Sequence, residues 1–226
     1  MAAGRGKLIA IEGPDGSGKT TLARAVAAAG GALFVEKKTI AEGPPYVAEV
    51  MAQVREQLWP MRAPESRQHF GLFPDTYWIH LQATWYVLFA EFVVAPHLAR
   101  GTVVVVDGWI YKFIAKLIAK GMDRGYLETA LAGVPPPDHV FLLRVPAQDI
   151  WRRSAASRRT FNELEMGSLN GFLTLGEPSF VSHQSDVAAE LSRMAVAARW
   201  TAIDVATGEG QETTGLRLRE RIATLL

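Results

Sequence analysis

Short apolar runs alternate with longer amphipathic stretches along this chain of 226 residues. Turn residues bound the apolar runs, which predict strands, and the amphipathic stretches repeat apolar side chains at the spacing of a helix face. Strands are predicted at 8–12, 32–36, 102–107, 139–144 and 201–204. Helices are predicted at 19–29, 46–59, 75–100, 109–120, 148–157 and 180–199, with one more at the C-terminus.

The order of these elements predicts the fold class. Strands that alternate with helices form a parallel sheet with helices on both faces, so we expect an α/β protein. The valines at 103–106 show no alternation, which is typical of a strand buried on both sides. Ligands of such sheets bind beyond the carboxyl ends of the strands. Gly13, Glu36, Asp107 and Arg144 lie at those ends, and we expect them to converge.

Composition narrows the classes of function. The chain is 49% hydrophobic, and its length without internal repeats suits one domain over 1–226. A net charge of +1 argues against a protein that coats nucleic acid, although a local basic stripe is compatible with it. The absence of cysteine excludes disulfides and thiolate sites. The apolar run near residue 8 is shorter than a signal peptide requires, and no apolar run reaches ~18 residues, so we expect a cytoplasmic protein that contacts no membrane.

A phosphate-binding loop follows the first predicted strand. Residues 13–20 read GPDGSGKT, which fits the pattern G-x-x-x-x-G-K-[ST] between a strand and a helix. In such a loop the lysine contacts the β- and γ-phosphates of a nucleotide and the threonine gives an oxygen to Mg²⁺. We therefore predict ATP and Mg²⁺ as cofactors. The predicted loop site comprises Gly13, Pro14, Asp15, Gly16, Ser17, Gly18, Lys19, Thr20 and Thr21.

Asp107 ends the valine strand, where a carboxylate can hold Mg²⁺ together with Thr20. The same aspartate could instead cap the helix that begins near Trp109. The two roles are compatible with each other, and the sequence alone leaves both open.

Residues 11–21, IEGPDGSGKTT, resemble the thymidylate kinase family, whose members typically read I-E-G-x-[DE]-x-x-G-K-[ST]-T. Three further segments resemble the family in the same order, at 96–101 (PHLARG), 137–143 (PDHVFLL) and 199–204 (RWTAID). The resemblance implies a P-loop kinase fold with a five-stranded parallel sheet. It also implies a lid, at about 151–170, that carries arginines and closes over ATP.

The resemblance implies roles for single residues. Asp15 faces the acceptor, and Glu36 corresponds to the glutamate of the family's T-R-E-P segment. Because Gly16 stands where some members carry an arginine, a lid arginine must neutralise the migrating phosphoryl group. The candidates are Arg152, Arg153, Arg158 and Arg159. The predicted catalytic set is Lys19, Asp107, Asp15, Glu36, Arg158 and Arg159.

The chain departs from the family where the acceptor binds. The family's Asp-Arg-[Tyr/His] motif reads DGW at 107–109, so the arginine that grips the acceptor's phosphate is missing. The arginine of the T-R-E-P segment is missing too, and Lys37 or Lys38 could partly replace it. Counting back from the PHLARG segment places the family's base-stacking phenylalanine at Gln82 and its thymine-binding arginine at Tyr86.

These losses favour an acceptor without a phosphate monoester. We expect the hydroxymethyl group of 5-hydroxymethyluracil in DNA, the acceptor of phage kinases that resemble this family, with Glu36 or Asp107 as base. Lys112, Lys116 and Lys120 recur on one helix face, where they could contact DNA phosphates or simply face solvent. The predicted acceptor-binding residues are Gln82, Tyr86, Trp109 and Lys112.

Other interpretations stay open. A thymidylate or deoxynucleoside monophosphate kinase with a rebuilt acceptor site, a deoxynucleoside kinase that uses Glu36, and a non-catalytic nucleotide-binding switch or scaffold all fit the phosphate loop. The central aromatic residues could stack a base or pack in the core. They are Phe70, Phe73, Trp78, Trp85 and Tyr86. A homodimer is also compatible with the sequence.

Overall fold

A computed structural model describes residues 4–60 and 69–224 of the chain, without the side chains of His69 and Phe70. Its centre is a sheet of the strands β1 (Leu8–Glu12), β2 (Leu33–Val35), β3 (Val104–Val106), β4 (His139–Arg144) and β5 (Thr201–Asp204). All neighbouring strands pair in parallel, in the order β2-β3-β1-β4-β5. The predicted α/β class and five-stranded parallel sheet are confirmed.

Helices connect the strands and pack around the sheet. Those described are α1 (Lys19–Ala28), α2 (Pro45–Leu58), α3 (Asp75–Leu88), α4 (Ala95–Ala99), α5 (Tyr111–Ala119), α6 (Arg124–Ala130), α7 (Ala147–Ala156), α8 (Glu177–Ala197) and α9 (Gln211–Ala223). Short 3₁₀ turns lie at His69–Leu72 and Ser168–Asn170. The sequence pattern did not predict α6, although Asp123 caps it by accepting a hydrogen bond from Tyr126 N at 2.8 Å.

Alternate side chains of β1 enter two different hydrophobic cores. Leu8 and Ala10 pack in a core with buried residues of α2 and α3, whereas Ile9 and Ile11 pack in a core with buried residues of α1 and α9. Both faces of the strand are therefore buried, which is why its first four residues are all apolar. Glu12 is the polar residue at its end, and the phosphate loop starts directly after it.

The long helical segment between α2 and β3 is not regular. α3 continues into a π-helical turn at Phe89–Val94 and then into α4. Pro96 accounts for this change, because proline has no N–H to donate and its ring crowds the carbonyl one turn earlier. By length and composition the stretch Asp75–Ala99 could cross a membrane. A third of its most apolar window is buried, and the Trp85 side chain is fully enclosed in the core.

Candidate active site

The phosphate loop between β1 and α1 adopts a conformation that its glycines permit. Gly13, Gly16 and Gly18 have φ values of +154°, +80° and +96°, a region that side chains disfavour. A methyl carbon at Gly16 would also lie 2.6 Å from Ile150 Cγ2 and 3.1 Å from the Phe161 ring. Position 16 therefore has no room for the arginine that some family members carry there.

Lys19 is the first residue of α1 and is buried against the loop. Its ammonium donates hydrogen bonds to the carbonyl oxygens of Gly13, at 2.8 Å, and Pro14, at 2.6 Å. Burial and the Lys112 charge lower the pKa of Lys19 well below its usual value, against the pull of the Asp15 carboxylate. A bound polyphosphate would stabilise the charged form, because an adjacent opposite charge raises the pKa of an ammonium group.

Asp107 lies where a magnesium ligand of this fold is expected. Thr20 Oγ1 donates a hydrogen bond to Asp107 Oδ2 at 2.6 Å, and Lys37 N donates to Oδ1 at 3.0 Å. Burial raises the pKa of Asp107, but these bonds and the Lys37 charge outweigh burial and hold it below its usual value. Adjacent hydroxyl and carboxylate oxygens are ligands that Mg²⁺ prefers, so the pair fits this ion.

The alternative role of Asp107 as a helix cap is wrong. α5 begins at Tyr111, and no side chain caps its first turn. The amide of Trp109 instead donates to Glu12 Oε1 at 2.8 Å. The carboxylate of Asp107 therefore accepts hydrogen bonds from Thr20, beside the phosphate loop, and from Lys37, after β2, and not from the helix that follows it.

Two lysines of α5 point into the site. Lys112 forms a hydrogen-bonded ion pair with Asp15 of the phosphate loop, and Lys116 Nζ lies 2.7 Å from the other carboxylate oxygen. Burial alone would raise the pKa of Asp15, but the two ammonium charges hold it well below its usual value. The Lys112 and Lys116 side chains are only 17% and 25% exposed. The interpretation of this stripe as a solvent face is therefore wrong for both.

Lys37 lies beside Gly108, the position that lacks the family's arginine. A methyl carbon at Gly108 would be 3.4 Å from Lys37 Nζ, so an ammonium group already borders the space of the missing side chain. Burial and the Lys112 charge lower the pKa of Lys37 to about 8, although the Asp107 carboxylate opposes the shift. Lys38 lines the same cavity as Lys37, with its ammonium 5.3 Å from the centre of the Trp59 ring.

One cavity of about 510 Å³ is bordered by Asp15, Lys19, Thr20, Lys37, Asp107, Lys112 and Lys116. The phosphate loop, the end of β2 and the lysines of α5 form its charged part. A second wall, from α2 and α3, is aromatic and contains Trp59 and Trp78. Gln82 of α3 also lines the cavity, and its predicted contact with the acceptor, like that of Lys112, stays a prediction.

Tyr86 and Trp109, also predicted to bind the acceptor, are only 3% and 2% exposed. The Tyr86 hydroxyl donates to the Trp109 carbonyl at 2.9 Å, and Trp109 Nε1 donates to the Pro135 carbonyl at 3.0 Å. Both residues line the cavity and belong to the hydrophobic core, with these polar atoms already paired. Tyr86 and Trp109 can therefore pack against a ligand, but these polar atoms are not available to bind it.

The other central aromatic residues are divided between core and cavity. Trp85 is fully buried, and its Nε1 donates to the Lys37 carbonyl at 3.0 Å. Trp78 lines the cavity, whereas Phe73 is partly exposed and stacks on Tyr77. The side chain of Phe70 lies outside the described residues.

Of the four strand ends expected to converge, Arg144 does not join the others. Its guanidinium binds Asp204 at 2.7 Å, and it borders a different cavity, on the side of β5. Glu36 does line the main cavity, with a half-exposed carboxylate 3.8 Å from Arg24. The expected convergence therefore holds for the ends of β1, β2 and β3, and the pairing with Asp204 explains the exception.

The segment after α7 supplies one arginine to the cavity. Arg159 lines it, lies 3.5 Å from Glu165 and packs over the Phe161 ring. Arg152 pairs with Asp149 of its own helix at 3.1 Å instead. The Gln184 side chain donates to the Glu165 carbonyl, at 2.8 Å, and to Asp15, at 3.3 Å, so this segment is tied to the phosphate loop.

The sequence interpretation missed Glu12. This residue is fully buried, and its Oε2 has no hydrogen-bond partner in the described part of the chain. Burial raises its pKa above the usual value, although the Lys19 charge and the Trp109 amide oppose the shift. Glu12 is thus a carboxyl group near the lysines of the cavity whose burial disfavours its charged form. The signal for it was a carboxylate at the end of an otherwise apolar strand.

Comparison with known proteins identifies the family. The sequence model described as Thymidylate kinase matches residues 11–169. This chain belongs to the thymidylate kinase family. Among curated members, it is 34% identical over 144 residues to a thymidylate kinase of Xanthomonas euvesicatoria pv. vesicatoria, covering 62% of this chain and 57% of that protein. It is 31% identical over 162 residues to a thymidylate kinase of Xylella fastidiosa, covering 66% and 65%.

The chain therefore spans less than two thirds of the length of these thymidylate kinases. The resemblance found in the sequence is confirmed at the level of the family. Residues 11–169 include the phosphate loop, the lysines of α5 and Arg159, so the candidate site lies almost entirely within the matched region.

Proposed function

We propose that this chain is an ATP-dependent kinase that transfers the terminal phosphoryl group to a deoxynucleoside monophosphate. The observation that carries the proposal is a group of lysines around one cavity, in which Lys37, Lys112 and Lys116 lie near the Lys19 of the phosphate loop. A phosphate monoester dianion needs charged donors when it leaves water. Lysines supply that charge as point charges where arginines are absent.

In the proposed reaction, an oxygen of the acceptor's phosphate attacks the γ-phosphorus of ATP. The new O–P bond forms as the bond between the γ-phosphorus and the β–γ bridging oxygen breaks, and ADP leaves with that oxygen. The attacking phosphate is already ionised near neutral pH, so no side chain has to remove its proton. Lys19 stabilises the charge on the β- and γ-phosphates, and Arg159 that on the migrating group.

Thr20 and Asp107 would hold Mg²⁺. Their oxygens lie 2.6 Å apart at the start of α1 and the end of β3, beside the loop that would bind the phosphates. When it is bound, the ion offsets the negative charge of the β- and γ-phosphates. Asp107 keeps its charge for this role because its pKa is held below the usual value.

The hydroxymethyl group of a base in DNA is the alternative acceptor. The sequence favoured this acceptor because the arginines that bind an acceptor's phosphate are missing. The lysines of the cavity weaken that argument, because they supply positive charge in place of those arginines. A hydroxyl acceptor also needs a base, for which Glu36 on the cavity wall is the candidate. A cytoplasmic location and a homodimer stay predictions.

The acceptor can be identified with labelled ATP. The protein would be offered dTMP and the other deoxynucleoside monophosphates, deoxythymidine, and DNA with either hydroxymethyluracil or thymine. We expect label on a monophosphate. Label on hydroxymethyluracil DNA alone would support the alternative acceptor, and label on deoxythymidine alone a nucleoside kinase. No transfer to any acceptor would indicate a nucleotide-binding protein without this activity.

Replacing Lys112 by glutamine should raise KM for the monophosphate by about 10-fold or more, because a charged contact to a phosphate is lost. KM for ATP should change less. Lys7→Gln is a matched control, because Lys7 precedes β1 and does not line the cavity. Equal effects of the two substitutions on KM would contradict the role given to Lys112.

The lowered pKa of Lys37 predicts an alkaline limit. Lys37 is charged below about pH 8 and loses its charge above it, so kcat/KM for the monophosphate should be about 10-fold lower at about pH 9 than near neutrality. Lys37→Arg should remove this alkaline decline, because arginine keeps its charge. A decline that persists unchanged in Lys37→Arg would assign the titration to another group.

A further inference from the structure

A fully buried glutamine of α8 joins the phosphate loop to the segment that follows α7. Gln184 is 0% exposed, and its Oε1 accepts a hydrogen bond from Asp15 N at 2.9 Å. Its Nε2 donates to the Glu165 carbonyl at 2.8 Å and to Asp15 Oδ2 at 3.3 Å. Because a buried polar group without a partner is costly, the loop and the segment cannot separate without losing one of these bonds.

Glu165 extends this connection to Arg159. Glu165 N donates to Asn162 Oδ1 at 3.0 Å, and Asn162 N donates back to Glu165 Oε2 at 2.9 Å. These reciprocal bonds fix the direction of the carboxylate, whose side chain is only 18% exposed. Its other oxygen, Oε1, lies 3.5 Å from the Arg159 guanidinium. The position of the guanidinium therefore depends on the position of Glu165.

Arg159 needs such a restraint if it is to act on a phosphoryl group. Its side chain is 48% exposed, and a long side chain in that environment has many rotamers available. The contacts that hold it are the Glu165 carboxylate and the Phe161 ring, whose centre is 5.1 Å from Arg159 Cζ. Arg159 and Glu165 line the same cavity as Lys19. A catalytic charge displaced by about 1 Å can lose about 10²-fold in rate, so the placement of Arg159 should matter.

We propose that Gln184 and Glu165 are positioning residues that hold Arg159 beside the phosphate loop for phosphoryl transfer. Gln184 fixes the backbone of Glu165 to the loop, and the Glu165 carboxylate fixes the guanidinium. Both residues act through Arg159. The inference rests on the proposed function and deepens it, because it assigns the placement of the lid arginine to a buried side chain of a different helix.

The test is a double-mutant cycle between Gln184 and Arg159. Steady-state kinetics, with the acceptor identified by labelled ATP, would compare the unmodified protein, Gln184→Met, Arg159→Ala and the double variant. Methionine is unbranched and similar in length to glutamine, but it cannot make these hydrogen bonds to the loop and the segment. Gln184→Met should lower kcat about 10- to 30-fold and change KM for ATP and for the acceptor less than about 3-fold.

The double variant separates positioning from a purely structural role. If Gln184 acts through Arg159, kcat of the double variant should be close to that of Arg159→Ala, because no guanidinium is left to position. A loosened phosphate loop would instead impair transfer with or without Arg159, so the two losses would multiply. Multiplied losses, or a near-normal kcat for Gln184→Met, would overturn the inference.

Glu165→Gln tests the second link and replaces Gln184→Met if thermal unfolding shows that this variant does not fold. It keeps the backbone carbonyl that Gln184 binds and removes the charge beside Arg159. Its kcat should fall when Arg159 is present and change little in Arg159→Ala, and an equal loss in both backgrounds would overturn the inference.

Ser185→Ala is the matched control, because Ser185 is the next residue of α8 and is exposed. Its kcat should equal that of the unmodified protein. Failure of the inference can be told apart from failure of the proposed function. If the unmodified protein transfers label to no acceptor, the proposed function is wrong and the inference falls with it, whereas normal transfer with multiplied losses contradicts the inference alone.

Discussion

Replacing Lys19 by alanine should lower kcat by at least about 10³-fold while the protein stays folded. Lys19 is the cation of the phosphate loop, and its ammonium lies against the Gly13 and Pro14 carbonyls at the start of α1. The charge on the β- and γ-phosphates grows as the γ-phosphoryl group leaves, so the loss falls mainly on the transition state. Stability should suffer little, because burial already disfavours the charged form of Lys19.

Arg24→Ala is the matched control for this experiment. Arg24 lies on the same helix, its side chain is 63% exposed, and its contact with Glu36 is long at 3.8 Å. Its removal should change kcat by less than about 3-fold, since exposed ion pairs contribute little. Near-normal turnover of Lys19→Ala, with folding verified by circular dichroism, would contradict the role of the phosphate loop in phosphoryl transfer.

The strands and the phosphate loop could be predicted because their signals are local. β1, β4 and β5 have the predicted bounds, and each is an apolar run that a turn residue or charge ends. The glycines of the loop likewise indicate the backbone conformation that they adopt. β2 and β3 are shorter than predicted, at Leu33–Val35 and Val104–Val106, because pattern alone does not show where ladder pairing stops.

The acceptor part of the site could not be predicted in the same way. Periodicity places Lys112 and Lys116 on one face of α5, but it does not show whether that face meets water or a buried carboxylate. Their partner, Asp15, is 97 residues from Lys112 in the sequence. The position of Lys37 could not be predicted for the same reason. Gly108 lacks the family's arginine, and the side chain that borders this space comes from the end of a different strand.

The residues of α8 were missed for a related reason. His183 and Gln184 are buried polar residues on a long helix. In the sequence such residues only interrupt the apolar face of the helix, so the pattern does not indicate that they belong to a site. Gln184 is instead fixed by the loop, because Asp15 N donates to its Oε1 at 2.9 Å. Only the tertiary structure shows that α8 passes behind the phosphate loop, so that polar residues there are part of the site.

Asp107→Asn should lower kcat by about 10²- to 10³-fold while ATP binding stays measurable. Asparagine preserves the size of the side chain and can still accept a hydrogen bond from Thr20 or from the Lys37 amide. It lacks the negative charge that would hold Mg²⁺ beside the phosphates, so the Mg²⁺ concentration for half-maximal rate should rise. The loop amides and Lys19 would remain available to bind ATP.

The dependence of rate on Mg²⁺ separates a metal-binding role of Asp107 from a purely structural one. If Asp107 binds the ion, excess Mg²⁺ should restore part of the rate of Asp107→Asn. A structural role, through the bonds to Thr20 and Lys37 N at 2.6 and 3.0 Å, predicts a lower unfolding temperature and a deficit that Mg²⁺ does not change. Unchanged kinetics would exclude both roles, and a deficit insensitive to Mg²⁺ would leave the hydrogen bonds as its cause.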